Sequence, residues 1–197
     1  MIIGISGKMG SGKDYFVENH LKPFIINELK KTCLVLSLAD MVKINLMVHH
    51  NVEFDDLYKG NKKPEIRKLL QYEGTENGRN KYGEDIWIKY VKAWSKLYQS
   101  RGFDIIIIPD IRFKNEYNFI KEMGGKIFRI NSPERNEKRL LEESKDNNNY
   151  NQIKNHISET DLDDDKLVKF DYNINNNINI NIILEQAFGL ENCNNHL

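Results

Sequence analysis

Cysteine is almost missing. There are 2 in 197 residues, Cys33 in an apolar run and Cys193 in a polar tail. That excludes a disulfide framework, and no spacing of Cys and His suits a structural zinc. Excess charge is missing too: 29 Lys+Arg face 29 Asp+Glu. Nothing in this balance provides a broad surface for nucleic acid or membrane, so small-molecule partners are expected and the basic residues must act locally around an anion. No run of 18 or more apolar residues occurs, and no basic segment precedes an apolar leader. Neither a membrane span nor a secretory signal is therefore expected, and the chain reads as intracellular and cytoplasmic. Its length allows one domain with its own core and a small mobile insert.

What the chain does have is concentrated at its start, in IIGISGKMGSGKDYF (2–16). Ile2, Ile3 and Ile5 read as a buried strand. Gly7, Lys8, Met9, Gly10, Ser11, Gly12 and Lys13 follow, and a helical pattern opens at Asp14. The spacing Gly7-x-x-x-x-Gly12-Lys13 fits a P-loop, whose backbone N–H groups wrap phosphate oxygens while the lysine reaches the β- and γ-phosphates of a nucleoside triphosphate. The helix after it points its positive end at the same anion. ATP with Mg²⁺ is the ligand pair this chemistry calls for. A P-loop usually places Ser or Thr after the lysine; here Asp14 stands there, with Tyr15 next. Asp14 suits Mg²⁺, directly or through water, and suits a helix first turn equally well.

Along the chain, Phe16, Val17, Leu21, Phe24, Ile25 and Leu29 keep helical spacing, with Pro23 kinking or splitting the helix. CLVLSLA (33–39) reads as a second strand, and Asp40 as the cap of a helix carrying Val42 and Leu46. Pro64 opens another helix. A helix is expected at about 84–100, an uninterrupted buried strand at 103–108, a helix at about 113–123 and a strand at 125–130. From 132 to 160 a charged helix and an Asn-rich flexible stretch suggest a lid. A fifth strand is expected at 168–174. In the closing ININIILEQAFGL (178–190) the alternating isoleucines read as strand and the remainder as helix. Strands alternating with helices after a P-loop give an α/β fold, a parallel sheet between two helical layers, with ligands at the carboxyl ends of the strands.

That rule selects the candidate residues. Asp40 and Lys43 follow the second strand, where helix capping and ligand contact compete. Asp110 and Arg112 follow the central strand, where many P-loop enzymes keep a metal-associated acid. Asn115 and Glu116 suit an exposed helix equally. LLQYEGTENGR (69–79) reads as a helix ended by a Gly-Thr corner. There Gln71 can meet a base edge, Thr75 and Glu76 a sugar or phosphate, and Arg79 a phosphate. Surface turns use the same residues. Arg135 and Arg139 share one face of the lid helix, set to meet phosphates or to pair with Glu142 and Glu143. In NHISETDLDD, His156 and Glu159 either orient the lid or bind nothing, and Ser158 with Asp161 resembles a helix start.

Taken in order, these segments resemble the phage- and virus-type deoxynucleoside monophosphate kinases of the P-loop superfamily. The likeness runs through GKMGSGKD, LADMVK, LLQYEGTENGR, EDIWI (84–88), DIRFKNE (110–116), GGKIFRI (124–130), HISETDLD (156–163) and FDYNINN (170–176). It implies a single P-loop kinase domain over 1–197 with a five-stranded parallel sheet, an acceptor-binding region at about 40–100 and a lid at about 132–160. It implies transfer of the ATP γ-phosphoryl group to a deoxynucleoside 5′-monophosphate. Catalysis would rest on Lys13, Arg112, Arg135 and Arg139, with Mg²⁺ near Asp14 and Asp110. Asp40, Lys43, Gln71, Thr75, Glu76, Arg79, Trp87 and Asp110 would serve the acceptor, and kinases of this resemblance often pair as homodimers. The chain also resembles the animal-type phosphomevalonate kinases in its SGKD loop and its late Ser-Glu-x-x-Leu-Asp segment. A nucleotide-binding module without catalysis is the remaining reading.

Overall fold

The computed structural model describes residues 1–59, 64–144, 147–164, 166–175 and 179–190. Cys193, Asn176, Ile178, positions 145–146 of the expected lid and the Glu143 side chain, all touched on above, lie outside the described residues. The chain divides into two compact units, Met1–Val35 with Phe103–Leu197, and Leu36–Gly102.

The first unit holds the sheet: β1 (Ile2–Ser6), β2 (Cys33–Val35), β3 (Ile105–Ile111), β4 (Lys126–Asn131) and β5 (Tyr172–Asn175). All pairings are parallel, in the order β2-β3-β1-β4-β5. The apolar runs explain the centre. Ile105, Ile106, Ile107 and Ile108 are all buried, as a strand covered on both faces must be. One face packs Ile3, Ile5, Ile107 and Phe128 against Phe16, Leu21, Ile25, Leu184 and Ala187 from the flanking helices. On the other, Gly4 lies against Ile111, Ile120 and Ile127. The result is the α/β/α sandwich of a P-loop protein.

Several boundaries differ from the sequence expectation. β2 stops at Val35 rather than 39. β3 runs on through Pro109 to Ile111 because the register shifts between Gly4 and Ser6, a bulge that absorbs the proline's missing N–H. β5 begins at Tyr172 rather than 168. The helix is split just before Pro23: the path Lys13–Phe16 opens into a π turn at Val17–Leu21 and resumes as Lys22–Asn27. A wider turn spares a ladder that proline cannot complete. The Asn-rich stretch forms a helix, Asn147–Lys154, with the Tyr150 hydroxyl donating to Glu137. Of the alternating isoleucines, Ile180 and Ile182 belong to the helix Ile180–Phe188, whose start is capped by the Asn179 side chain accepting from Asn181 N. Burial at Leu184 and Ala187, three apart, outweighs the period of two.

The second unit is helical: Asp40–His50, Phe54–Tyr58, Pro64–Gly74, a π turn at Thr75–Arg79, Asn80–Tyr82 and Ile86–Ser100. The Gly-Thr corner expected at 74–75 does not form. Gly74 keeps helical angles (φ −71, ψ −34) and the helix passes straight into the π turn. Asp40 is the first residue of its helix rather than its cap, which falls at Ala39. No helix among the described residues is long and apolar enough to cross a membrane.

Candidate active site

In the first unit the P-loop joins β1 to the helix beginning at Lys13. Gly10 and Gly12 take φ of +77° and +91°, which a side chain would resist. A Cβ on Gly7 would lie 2.5 Å from Ser11 Oγ and 2.7 Å from the Ile130 carbonyl oxygen. The loop is therefore folded tight, and Ser11 Oγ is buried without a hydrogen-bond partner. An orphaned hydroxyl inside a glycine cradle at a helix N-terminus fits the phosphate chain of a nucleoside triphosphate. Lys13 Nζ meanwhile donates to the loop's own carbonyls, Gly7 O at 2.6 Å and Lys8 O at 3.2 Å.

Burial brings the Lys13 ammonium down from 10.5 to about 8, and neighbouring Arg112 and Arg129 push the same way against Glu159 and Asp14. Between about pH 8 and 10.5 the unfolded chain holds a proton here that the folded chain has released. Stability therefore rises with pH across that window. In a Lys13→Met variant that increment should vanish from thermal melts compared between pH 7.5 and 10.

Arg112 sits just beyond β3, and two carboxylates fix it. Glu116, for which an exposed helix position is an equal reading from the sequence, is buried; its Oε2 accepts from Arg112 N at 2.8 Å and Phe113 N at 3.1 Å. Glu159 Oε1 accepts from Arg112 Nη1 at 2.5 Å, and its Oε2 accepts from Met9 N at 2.8 Å. Asp161 does not complete a helix start with Ser158. Its Oδ2 accepts from Lys114 N at 2.7 Å, while the short helix Ile157–Thr160 is capped by His156. Asp163 pairs with Lys8 at 2.6 Å and with Arg129 at 2.9 Å. Arg129 is buried and also donates to Ser6 Oγ at 2.9 Å.

The helix Pro133–Glu143 lies against the loop. Asn136 Nδ2 donates to Met9 O at 2.6 Å, and Arg135 Nε donates to Ser132 Oγ at 2.7 Å. A Cβ on Gly12 would lie 3.2 Å from Arg135 Nη1, and one on Gly10 would lie 2.6 Å from Arg139 Cβ. Arg139 also faces Glu142 at 3.5 Å. The structure thus brings Lys13, Arg112, Arg135 and Arg139 around one loop. A cavity of about 160 Å³ beside Gly12 is lined by Tyr15, His20, Arg135, Asn175 and Ile180 among others.

For Mg²⁺, no group of three or more His, Cys, Asp or Glu among the described residues forms a ready cage. Asp14 is exposed at the first turn and Asp110 is half-buried near the end of β3. One or two carboxylates with substrate phosphates are how Mg²⁺ is commonly held, so this donor set fits it.

In the second unit, Asp40 Oδ2 accepts from Ser37 N at 2.8 Å and its Oδ1 accepts from the Tyr58 hydroxyl at 2.9 Å. Lys43 Nζ lies 3.5 Å from Asp40 and 4.0 Å from the centre of the Tyr58 ring. Burial and Asp40 together push the Tyr58 phenol well above its usual range. Gln71, Thr75 and Glu76 are exposed and Arg79 is half-buried. Beneath them, buried Glu73 accepts from Asn45 at 3.1 Å and Asn77 at 2.9 Å. Trp87 is buried too, its indole N–H donating to Gly74 O at 2.9 Å. A Cβ on Gly78 would overlap the Trp87 ring, so a glycine is needed there.

Sequence reading passed over Glu73, Tyr58, Arg129 and Asp163. Only Arg129 carried a signal, a lone arginine in the otherwise apolar IFRI (127–130) of β4.

A glycine cradle for phosphate, a lysine in it and three arginines around it, on a parallel α/β sandwich, define a P-loop kinase: a phosphotransferase that binds nucleotide. Residues 5–126, more than half of the chain, match the family model described as phosphomevalonate kinase, and the chain belongs to that family. It is also similar to a protein of Acanthamoeba polyphaga mimivirus named "Putative deoxynucleotide monophosphate kinase". The two are 29% identical over 147 residues, 68% of this chain and 75% of that one. Among solved structures, TT1252 from Thermus thermophilus superposes with a TM-score of 0.57 at 16% identity, covering 98% of both chains. That likeness shows the fold alone.

Proposed function

We propose that the protein transfers the γ-phosphoryl group of ATP to the 5′-phosphate of a deoxynucleoside monophosphate, with Mg²⁺. Its similarity to the mimivirus protein, over 68% of the chain, carries the reading. The acceptor oxygen is already anionic, so no strong general base is required. The demand is in-line placement and charge neutralisation.

Lys13 leaves the Gly7 and Lys8 carbonyls for the β- and γ-phosphates, and Ser11 and the loop amides hold the oxygens between them. Arg112, Arg135 and Arg139 take up charge on the group in transfer. Asp14 and Asp110 are the carboxylates that would hold Mg²⁺, which when bound neutralises phosphate charge. The cavity beside Gly12, with Tyr15 and Arg135 among its lining residues, suits a stacked base. The helix over the loop excludes water and limits wasteful hydrolysis of ATP. On the acceptor side, Gln71 and Glu76 offer hydrogen bonds to a base edge or sugar, with Thr75 and Arg79 toward phosphate. Asp40, Lys43 and Trp87 belong to the same unit and complete that set, Trp87 from beneath.

The family match favours a second reading, phosphomevalonate as acceptor. That molecule carries a carboxylate and a phosphate but no base, so it has no base edge for Gln71 to meet. A panel of deoxynucleoside and ribonucleoside monophosphates and phosphomevalonate, each with ATP and Mg²⁺ and read by product chromatography, separates the two. Diphosphates of one or more deoxynucleosides are expected; turnover of phosphomevalonate alone would reverse the choice.

A further inference from the structure

The geometry points to Glu159 as the positioning residue for Arg112 in phosphoryl transfer. This inference rests on the kinase reading and not on the identity of the acceptor. Three carboxylates, Glu159, Asp161 and Asp163, alternate along the segment after the Asn147–Lys154 helix, and each is tied to one of the loops at the carboxyl end of the sheet. They do unequal work. Asp161 completes the start of the helix Lys114–Glu122. Asp163 is more than a third exposed, where ion pairs are screened and weak.

Glu159 differs in two ways. Its side chain is only 9% exposed, and its two oxygens reach two different functional loops. One holds the amide of Met9, inside the phosphate cradle; the other holds Arg112 Nη1. Both are hydrogen bonds to an ionised carboxylate in a sheltered place, the stronger kind.

The bond to Glu159 uses one of the five N–H donors of the guanidinium, leaving the rest of the fork for phosphate. Glu116 fixes the backbone under Arg112, and Glu159 fixes where its side chain points. Without that carboxylate, the Arg112 guanidinium would lose its ion pair while still facing the charge of Lys13, and the fork would swing to solvent. Glu159 therefore measures the distance between the donor phosphate cradle and the arginine that serves the transfer.

The test is a double-mutant cycle of Glu159→Gln and Arg112→Ala in the full-length protein, with ATP, Mg²⁺ and whichever acceptor the panel selects. Glutamine keeps an acceptor for the Met9 amide and removes the charge that holds Arg112. Expected is a fall in kcat of about tenfold or more with KM for ATP changed less than about threefold, the mark of an interaction that matters in the transition state. In the Arg112→Ala background the same substitution should change kcat by less than about twofold, because the two residues act as one. An undiminished second loss, or a loss entirely in KM, would overturn the proposal.

Glu159→Asp keeps the charge but falls one methylene short, and its loss should likewise disappear without Arg112. If both Glu159 variants lose the native thermal melt, Glu159 belongs to the framework and the proposal falls. If no acceptor on the panel turns over, the acceptor reading fails by itself. The cycle is then read on the slow hydrolysis of ATP, where the same non-additivity is expected and simple additivity would overturn it.

Discussion

Lys13→Ala is expected to lower turnover by about 10³-fold while the protein remains folded. Removing one preorganised group that stabilises developing charge typically costs about 10²–10³ in rate, and an ammonium directed at the transferred phosphoryl belongs at the upper end. The fold should not suffer, because the wild-type ammonium is itself held against its preference, with burial its leading cost. Steady-state turnover and a thermal melt on the same preparation check both halves. A folded variant with near-normal turnover would remove Lys13 from the chemistry.

The second large effect is expected at Gly7→Ala. Its new methyl would meet Ser11 Oγ at 2.5 Å and the Ile130 carbonyl at 2.7 Å. Ser11 can turn, but Ile130 is backbone within β4, paired with Ile174 of β5, and cannot retreat. The loop must rise off the sheet instead, and its amides then lose their common focus. Affinity for a non-hydrolysable ATP analogue should fall by more than about 10²-fold, and stability by about 1–3 kcal/mol, the usual range for forced overpacking. Gly124→Ala is the control. Its φ is also positive, at +67°, but nothing lies within 4 Å. It should cost about 1–2 kcal/mol of backbone strain and leave nucleotide affinity unchanged. Calorimetric titration of both variants makes the comparison; equal affinities in the two would mean that the cradle's tightness is irrelevant.

These effects trace back to features of very different legibility. The phosphate cradle was readable because glycine and lysine spacing encodes it locally, with a strand before and a helix after. The sheet centre was readable because an unbroken IIII run suits a strand covered on both faces. Pro109 hid the true end of β3, since only the pairing partner reveals the bulge that accommodates it. The π turn at Thr75–Arg79 was hidden for a similar reason: its wider spacing is set by Trp87 packing on Gly78, a contact nine residues away. Ile180 and Ile182 alternate with asparagine in a way that serves strand and helix alike until Leu184 and Ala187 find the core.

The charged residues show the sharpest divide. Arg112 stands out by its place after the central strand, because loops there face the ligand, and Arg135 and Arg139 by their shared face on one helix. In the sequence Glu116 suits an exposed helix equally, and Glu159 either orients the lid or binds nothing. Their roles depend on partners 3, 4, 47 and 150 residues away, which spacing does not disclose. Glu73 is the same case in the second unit, a buried acid whose amide partners, Asn45 and Asn77, lie 28 and 4 residues away.

The most direct measurement of the central claim is a crystal structure with a bisubstrate analogue, adenosine joined through a chain of phosphates to a deoxynucleoside. The account places the donor phosphates within hydrogen-bonding distance of the Gly10, Ser11, Gly12 and Lys13 amides, with Lys13 Nζ moved from the Gly7 and Lys8 carbonyls onto phosphate oxygen. Density for the analogue elsewhere on the protein, with Lys13 still bonded to its own loop, would contradict it.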